Sequence, residues 1–267
     1  MGYSARVLLD SISPAGKRLT TMEVTFPRFV LAEFNTHRVF SRNSASSRAI
    51  PTAKLIERVE TEPAIPLQWG RNKPGMSASE TLGEEEAARG LQAWLSARDA
   101  AVAHARRLVE LGVHKQILNR LLEPFMWHTV IVTATEWANF FYLRIAPTAQ
   151  PEIRQAAELM RDALTASQPR AVGEGQWHLP LVQADEYALG LEDLKKISAA
   201  RCARVSYLTH TGVRDTGKDI ELCERLMRDG HLSPFEHVAT PSDDQCANFH
   251  GWMQYRRAIE ASALYVS

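Results

Sequence analysis

The sequence predicts a fold of mixed α/β class, and stretches of two kinds carry that prediction. Apolar and polar residues alternate over 19–26, as in a strand, and 125–135 is rich in β-branched and aromatic residues. Apolar residues recur at helical spacing over 77–111 and 151–164. The length of 267 residues suits one large domain or two small ones, and we predict a single domain, 1–267.

The first strand is predicted from Met22, Val24 and Phe26, whose apolar side chains alternate with polar neighbours. A strand with this pattern is expected to bury one face and expose the other. Pro27 ends the strand, because proline lacks the backbone N–H that a sheet needs. The apolar residues of 29–34 then predict a helix.

Two loops and a long helix are predicted next. The stretch 35–48 is too rich in Ser, Asn and Arg for a helix interior and is predicted to be an ordered loop. Prolines and glycines predict a second loop over 63–76. A long helix is predicted over 77–111, with Gly112 as its C-terminal cap. Arg98 interrupts its apolar face, so the stem is expected to pack while the head reaches water.

The second half of the chain is predicted to be mainly helical. A helix is expected over 113–122, whereas 125–135 reads as a strand or as a buried helix. A loop over 168–182 could separate two lobes, but both sides carry parts of the same apparent site. Further helices are predicted over 136–143, 151–164, 191–203 and 218–229.

The composition argues against several classes of protein. Lys plus Arg and Asp plus Glu number 31 each, and this zero net charge argues against a nucleic-acid binder. No apolar run reaches the ~18 residues of a membrane span, and the N-terminus lacks the apolar segment of a secretory signal. Three cysteines without close pairs indicate a reduced, cytoplasmic protein. No metal site is predicted, because the spacing of His231 and His237 does not place both on one helix face.

The polar loop carries the densest set of candidate ligands. Within 36–48 the chain offers three guanidiniums, one imidazole and five hydroxyls in thirteen residues. Arginine forks bind phosphate or carboxylate through two hydrogen bonds, and hydroxyls complete an anion site. A solvated loop that caps a helix is the alternative interpretation.

Two further segments hold polar residues that need an explanation. In 230–237, Ser233 and Glu236 match a capping box at a helix start, or they line a pocket there. Asn139 and Arg144 lie in an aromatic run, where buried polar groups need partners. A substrate could be that partner, and so could an internal salt bridge from Arg144 to Glu136 or Glu152. Ser206 is either a ligand or a turn residue.

Together these motifs resemble the flavin-dependent thymidylate synthases. The signature of that family is Arg-His-Arg followed by Ser, Asn-Glu, Ser and Arg. This sequence resembles that signature with Thr36-His37-Arg38 followed by Ser41, Asn43, Ser46 and Arg48. Further matches are Gly112 with Arg120 and Pro124, Asn139 with Arg144, 149–153, 203–207 and 230–237.

The order of these segments differs from that of the family. There the counterparts of 203–207 and 230–237 precede the His-Arg loop, whereas here they follow it. The sequence therefore resembles a circular permutant, with its ends between the region of His237 and the strand at 19–26.

The resemblance implies a fold and an activity. The fold would be a central antiparallel sheet flanked by helices, in a homotetramer whose active sites form between subunits. Bound FAD, reduced by NADPH, would help to move a one-carbon unit from methylenetetrahydrofolate to C5 of a deoxypyrimidine monophosphate, most simply dUMP to dTMP. No cysteine nucleophile is implied, because the flavin carries the difficult chemistry.

The resemblance also assigns residues. It places on the flavin side His37, Arg38, Asn139, Ser206, His231, Ser233 and Glu236. It places on the nucleotide side Glu33, Ser44, Ser46, Ser47, Arg48, Arg120 and Arg144. Catalytic roles fall to Ser46 and to Arg144, which would stabilise charge that develops on the pyrimidine ring.

Three positions depart from the family. Thr36 replaces its first Arg, Glu33 replaces a Gln, and Ser44 replaces a Glu. Since the Glu33 carboxylate could accept a hydrogen bond from an exocyclic amino group, dCMP is an alternative substrate. The departures are also compatible with a hydroxymethylated product, and with a homologue that binds flavin or nucleotide without turnover.

Overall fold

The computed structural model describes residues 2–78, 80–207, 212 and 214–262, without the side chains of Ser206, Tyr207 and Asp244. The strands are β1 (Ser4–Ile12), β2 (Arg18–Pro27), β3 (Ser41–Ser44), β4 (Trp127–Ala134), β5 (Arg170–Ala171), β6 (Ala239–Cys246) and β7 (Phe249–Gln254). The helices are α1 (Leu31–Asn35), α2 (Thr52–Thr61), α3 (Glu84–Glu110), α4 (Lys115–Leu118), α5 (Ala138–Arg144), α6 (Pro151–Ala166), α7 (Leu191–Ala203), α8 (Thr216–Arg228) and α9 (Tyr255–Ala261). Short 3-10 turns cover Arg28–Val30, Asn119–Phe125, Ala184–Glu186, Arg204–Tyr207 and Ser233–Glu236.

A five-stranded sheet in the order β3-β4-β2-β1-β5 forms the centre of the fold. Strands β1 to β4 pair in antiparallel fashion, with Met22 opposite Val132 and Thr21 opposite Thr133. The two-residue β5 runs parallel to β1, and β6 and β7 form a separate antiparallel hairpin. The predicted α/β class with a central antiparallel sheet is therefore confirmed.

Strand β2 is confirmed, but the prediction that one of its faces is exposed is wrong. Met22, Val24 and Phe26 are buried on one face, and Thr21 and Thr25 are buried on the other. The strand lies in the middle of the sheet, between β4 and β1. Helix α6 packs on its apolar face, and polar side chains from other elements cover the opposite face.

The polar stretch 35–48 is only partly the loop that its composition predicts. Ser41–Ser44 forms β3, which pairs with β4 and places Ser41 opposite Thr133. A four-residue polar strand lacks the apolar alternation by which strands are recognised, so its composition hid it. The stretch 125–135 forms strand β4 rather than a buried helix, and most of its side chains are buried on both faces.

The long helix α3 begins at Glu84, and not at 77 as predicted. Three consecutive glutamates fill its first turn, where the helix dipole favours negative charge. Gly112 ends it with a φ of 72°, as expected of a glycine C-terminal cap. The Arg98 head donates to the carbonyls of Val59 and Glu60 at the end of α2.

Most of the other helix predictions agree with the structure to within a few residues. The helix predicted over 113–122 is broken, because α4 passes into a 3-10 turn that contains Pro124. The sequence did not predict β1, α2, β5, the β6–β7 hairpin or α9. The helices confirmed are α1, α5, α6, α7 and α8.

Buried polar side chains form a chain of hydrogen bonds across the second face of the sheet. Ser11 Oγ lies 2.7 Å from His178 Nδ1, and His178 Nε2 lies 2.8 Å from Thr21 Oγ1. Thr133 Oγ1 lies 2.7 Å from Thr21 Oγ1 and 2.7 Å from His237 Nδ1. Burial lowers the pKa of both histidines to about 3, so their imidazoles are neutral near pH 7.

We expect the folded state to lose stability between pH 7.5 and pH 5.5, because three buried imidazoles stay neutral in it. Burial lowers the pKa of His128, like that of His178 and His237, to about 3. The unfolded chain binds a proton at each of these near pH 6.5, so acidification favours unfolding by about 1.4 kcal/mol per histidine at pH 5.5, or about 4 kcal/mol for three. Urea denaturation at both pH values measures this, with exposed His104→Gln as the control that keeps the full dependence. Equal stability at the two pH values would contradict the prediction.

The described residues include no helix both long and apolar enough to cross a membrane. The same part of the chain holds no group of three or more His, Cys, Asp or Glu side chains arranged to bind a metal ion. Cys202, Cys223 and Cys246 are free thiols. Burial raises the pKa of Cys202 and that of Cys223, so neither thiol is a ready nucleophile.

Candidate active site

The polar loop leaves the end of α1 and packs first against α5. The ring of His37 lies 4.9 Å from that of Phe140, nearly perpendicular to it, and 5.8 Å from that of Phe40. The aromatic run of α5 therefore supports the loop that carries the candidate ligands. Asn139 and Arg38 remain exposed here, with no hydrogen bond or ion pair to the described residues.

Arg144, at the end of α5, joins that helix to the loop. Its Nε donates to His37 Nε2 at 2.9 Å, and its Nη2 donates to Thr36 Oγ1 at 2.8 Å and to the carbonyl of Glu33 at 3.2 Å. Neither Glu136 nor Glu152 pairs with it among the described residues, and Glu152 instead accepts the backbone N–H of residue 67. The internal salt bridge offered by the sequence is therefore not formed.

His37 is a neutral, oriented imidazole. Burial, and then the charges of Arg144 and Arg42, lower its pKa to about 4. Because Nε2 accepts the hydrogen bond from Arg144, the proton of the neutral ring lies on Nδ1. The loop thus presents a donor at His37 Nδ1 and no positive charge at that ring.

Thr36 makes contacts that an arginine at the same position could not make. Its hydroxyl donates to the carbonyl of Glu33 at 2.7 Å and accepts from Arg144. An arginine at position 36 would place a second positive charge beside Arg144 and would offer no oxygen to accept the hydrogen bond from Arg144. In the same region, the Glu33 Oε2 atom is buried and has no hydrogen-bond partner among the described residues, so its capacity to accept a hydrogen bond is unused.

In the segment 230–237, the turn Ser233–Glu236 packs against β3, which lies in the middle of the same loop. The predicted capping box is not formed: Leu232 precedes the 3-10 turn without a side-chain cap, and Glu236 accepts from Arg256 Nη1 at 2.6 Å. His231 and Ser233 are exposed, and their side chains have no partner among the described residues. The turn therefore offers free polar groups next to the loop.

The C-terminal hairpin reaches the site, a role that the sequence did not assign. Asn248 Nδ2 donates to the carbonyl of Val39 at 2.9 Å and to Ser41 Oγ at 3.0 Å, and Gln254 Nε2 donates to Ser41 Oγ at 3.1 Å. With Glu236 and Arg256, these side chains border a cleft of about 460 Å³. Polar residues spaced among aromatic ones over 248–257 were the available signal.

The nucleotide-side residues form a separate cluster around one carboxylate. Ser47 Oγ donates to Glu123 Oε1 at 2.5 Å, Arg120 Nη1 lies 2.7 Å from the same oxygen, and Arg28 Nη2 lies 3.0 Å from it. Burial raises the pKa of the Glu123 carboxyl, but these hydrogen bonds and charges outweigh burial and lower it overall. Glu123 therefore carries a full negative charge near pH 7.

The remaining assigned residues are placed less closely. The side chains of Ser46 and Arg48 make no hydrogen bond or ion pair to the described residues. Ser44 lies on β3 opposite Val130, next to the loop. The side chain of Ser206 lies outside the described residues. The structure thus brings together one group around Arg144 and another around Glu123.

A family model described as thymidylate synthase complementing protein matches residues 12–170, which is more than half of the chain. This chain belongs to that family. The match spans the loop, Arg120, Asn139 and Arg144, whereas Ser206 and the segment 230–237 lie beyond it. Membership of the thymidylate synthase complementing proteins supports methyl transfer to C5 of a pyrimidine nucleotide. The circular permutation stays a prediction.

The comparison with individual proteins is less specific. No curated protein matches the sequence significantly. The chain is similar to a UMP/dUMP methylase, PolB from Streptomyces cacaoi. The structure bound with 5-Br UMP shares 17% identity at a TM-score of 0.48, over 61% of this chain and 88% of that one. The structure bound with 5-Br dUMP shares 16% identity at a TM-score of 0.48, over 61% and 90%.

Proposed function

We propose that the protein transfers a one-carbon unit from methylenetetrahydrofolate to C5 of a deoxypyrimidine monophosphate, with dUMP to dTMP as the first candidate reaction. The observation that carries this proposal is the arrangement around Arg144. A guanidinium held by Thr36, His37 and the backbone of Glu33 is a fixed donor, and the carboxylate of the same Glu33 has a buried oxygen with no donor among the described residues. Such a donor can stabilise charge on a pyrimidine carbonyl as C5 becomes nucleophilic.

The nucleotide would be held by residues of the same loop and of the turn that follows α4. Ser47 and Arg120 already converge on one anionic oxygen, so they suit a phosphate. Ser46 and Arg48 are close in the chain, and their side chains have no partner among the described residues, so these side chains are available to the substrate. We assign Ser46 a catalytic contact with the base, and Ser44 a place at the edge of the same pocket.

The flavin-side residues fit a bound FAD. His37 offers a neutral N–H donor, and Arg38 and Asn139 are exposed without internal partners among the described residues. Glu236 lines the cleft of about 460 Å³, and the turn Ser233–Glu236, which follows His231 closely in the chain, packs against β3. When bound, and reduced by NADPH, the flavin supplies the reducing equivalents for the methyl group. Ser206 belongs to this proposed set by its motif alone. A homotetramer would complete the site.

A second substrate is favoured by one feature, the unpartnered Oε2 of Glu33. A buried carboxylate oxygen without a donor is unfavourable, and a ligand amino group would satisfy it. The exocyclic amino group of cytosine is such a donor, which makes dCMP the alternative substrate. A hydroxymethylated product is compatible with the same geometry.

Product mass spectrometry tests the proposal directly. The purified protein would receive FAD, NADPH, methylenetetrahydrofolate and, separately, dUMP, dCMP or UMP. A product heavier by a methyl or hydroxymethyl group supports the proposal and identifies the base. Bound yellow flavin without any product would favour a binding homologue. Neither flavin nor product would refute the proposed site.

Replacing Glu33 with glutamine is expected to shift the substrate preference from dCMP towards dUMP, because an amide can also donate to a carbonyl. The ratio of kcat/KM for the two nucleotides, measured in both proteins, gives the result. We expect a change of about tenfold, as for one hydrogen bond of about 1.4 kcal/mol. Glu110→Gln, at the exposed end of α3, is the matched control. An unchanged ratio would argue against a contact between Glu33 and the base.

A further inference from the structure

A cleft of about 490 Å³ lies between α1 and the 3-10 turn Asn119–Phe125. One wall is charged and carries Arg28, Arg120 and Glu123, and the other is apolar and includes Phe29 and Leu31. A cleft with a charged and an apolar wall suits a ligand with an anionic group and a flat ring.

A single oxygen at this charged wall receives three donors. Glu123 Oε1 accepts from Ser47 Oγ, Arg120 Nη1 and Arg28 Nη2, at 2.5, 2.7 and 3.0 Å. A hydroxyl and two guanidiniums converging on one oxygen form the coordination that proteins use for phosphate oxygens. The Glu123 carboxylate thus occupies the position that an oxygen of a bound phosphate would take.

The cluster differs from a buried structural ion pair in its exposure. The Arg120 side chain is 49% exposed, that of Glu123 is 21% exposed and that of Arg28 is 15% exposed, whereas Ser47 is buried. Exposed ion pairs contribute little to stability, and only the Arg120 side of this cluster is of that kind. Moving the Glu123 side chain away from the donors therefore costs less than separating a fully buried ion pair.

We propose that this cleft is the phosphate site of the nucleotide, that Arg28 is a third phosphate ligand, and that Glu123 competes with the phosphate for the donors. The proposal rests on the proposed function, which supplies a nucleotide monophosphate. With Glu123 in place, the net charge of the cluster is one positive charge rather than two. The competition lowers the affinity for phosphate dianions and makes binding depend on displacement of the carboxylate.

The test is the affinity of Glu123→Gln for three probes, measured by isothermal titration calorimetry at pH 7.5. Glutamine keeps the shape of the side chain and removes its charge. We expect dUMP to bind about tenfold more tightly than in the parent protein, as does inorganic phosphate, and deoxyuridine to bind equally in both. Glu60→Gln is the matched control, because it removes the same charge from an exposed pair with Arg106 on α2 and α3. That control should bind all three probes as the parent does.

Further outcomes separate this proposal from the proposed function. Tighter phosphate binding without binding of any pyrimidine nucleotide would support the anion site and refute the nucleotide assignment. Unchanged or weaker binding of dUMP and phosphate would overturn the competition. If Glu123→Gln does not fold, Glu123→Leu replaces it with a side chain of similar size. Failure of both to fold would show that the carboxylate is structural, which also overturns the proposal.

Discussion

Replacement of Arg144 with alanine is expected to lower kcat/KM by about 10²–10³-fold, the usual loss when one fixed donor to a developing charge is removed. Arg144 donates to His37, Thr36 and the backbone of Glu33, so its guanidinium has a defined position before any substrate binds. The chemical step should slow because the pyrimidine ring loses its electrostatic partner. Steady-state and single-turnover kinetics with the nucleotide that the enzyme accepts measure the effect.

Two comparisons give that experiment its meaning. Arg144→Lys keeps the charge but loses the fork that contacts His37 and Thr36 together, so we expect it to restore only part of the activity. Arg161→Ala, on an exposed part of α6, removes an arginine that pairs with its neighbour Asp162 and should leave kcat/KM unchanged. Loss of thermal stability with full specific activity in Arg144→Ala would show that the arginine is a structural tie.

The helices and the central strand of this protein follow from local patterns. Apolar residues at helical spacing predicted α3 and α6, and the β-branched run predicted β4 as one of two possibilities. The prediction that one face of β2 is exposed was wrong because residues distant in the sequence cover that face. Thr21 reads as a solvent residue, yet His178, distant in sequence, brings it a buried hydrogen bond.

The candidate site could be predicted where a motif carries it, and not where the partner is distant. The composition of the loop 36–48 predicted an anion site, and its resemblance to the family signature pointed to Arg38, Ser46 and Arg48. The residues near Ser47 in the sequence do not predict its hydrogen bond to Glu123. The two residues come into contact only because the turn after α4 packs beside the loop. Such pairings depend on tertiary structure, which a local pattern does not encode.

The segment 203–207 shows how a motif can mix two kinds of role. Its resemblance to the family pointed to Ser206 as a ligand. Arg204 in the same segment forms an ion pair with Asp219 in the interior, and so does the nearby Arg201. Arg204 and the nearby Arg201 therefore form ion pairs inside the fold.

Arg201→Ala is expected to destabilise the protein by about 3–5 kcal/mol, the loss typical when one partner of a buried ion pair is removed. The Arg201 side chain is 2% exposed. Its Nη1 and Nη2 donate to the two carboxylate oxygens of Glu186 at 2.7 Å each, and its Nε donates to Asp219 Oδ2 at 2.9 Å. Without the guanidinium, the buried carboxylate of Glu186 loses the donors to both its oxygens, and that of Asp219 loses one of its two arginine partners. Urea denaturation at pH 7.5 measures the change.

An exposed arginine at the rim of the same cluster provides the contrast. Arg214, whose side chain is 53% exposed, pairs with Asp185, and Arg214→Ala should cost less than about 1 kcal/mol.

The dependence of stability on acid pH gives a second readout. The hydrogen bonds from Arg201 are the largest cause that lowers the pKa of Glu186 to about 2. This stabilisation is therefore present above about pH 4.5 and is lost as the pH falls towards 2. That dependence should shrink in Arg201→Ala and persist in Arg214→Ala. An equal loss of unfolding free energy in the two variants would mean that burial does not make the Arg201 contacts more stabilising than those of Arg214.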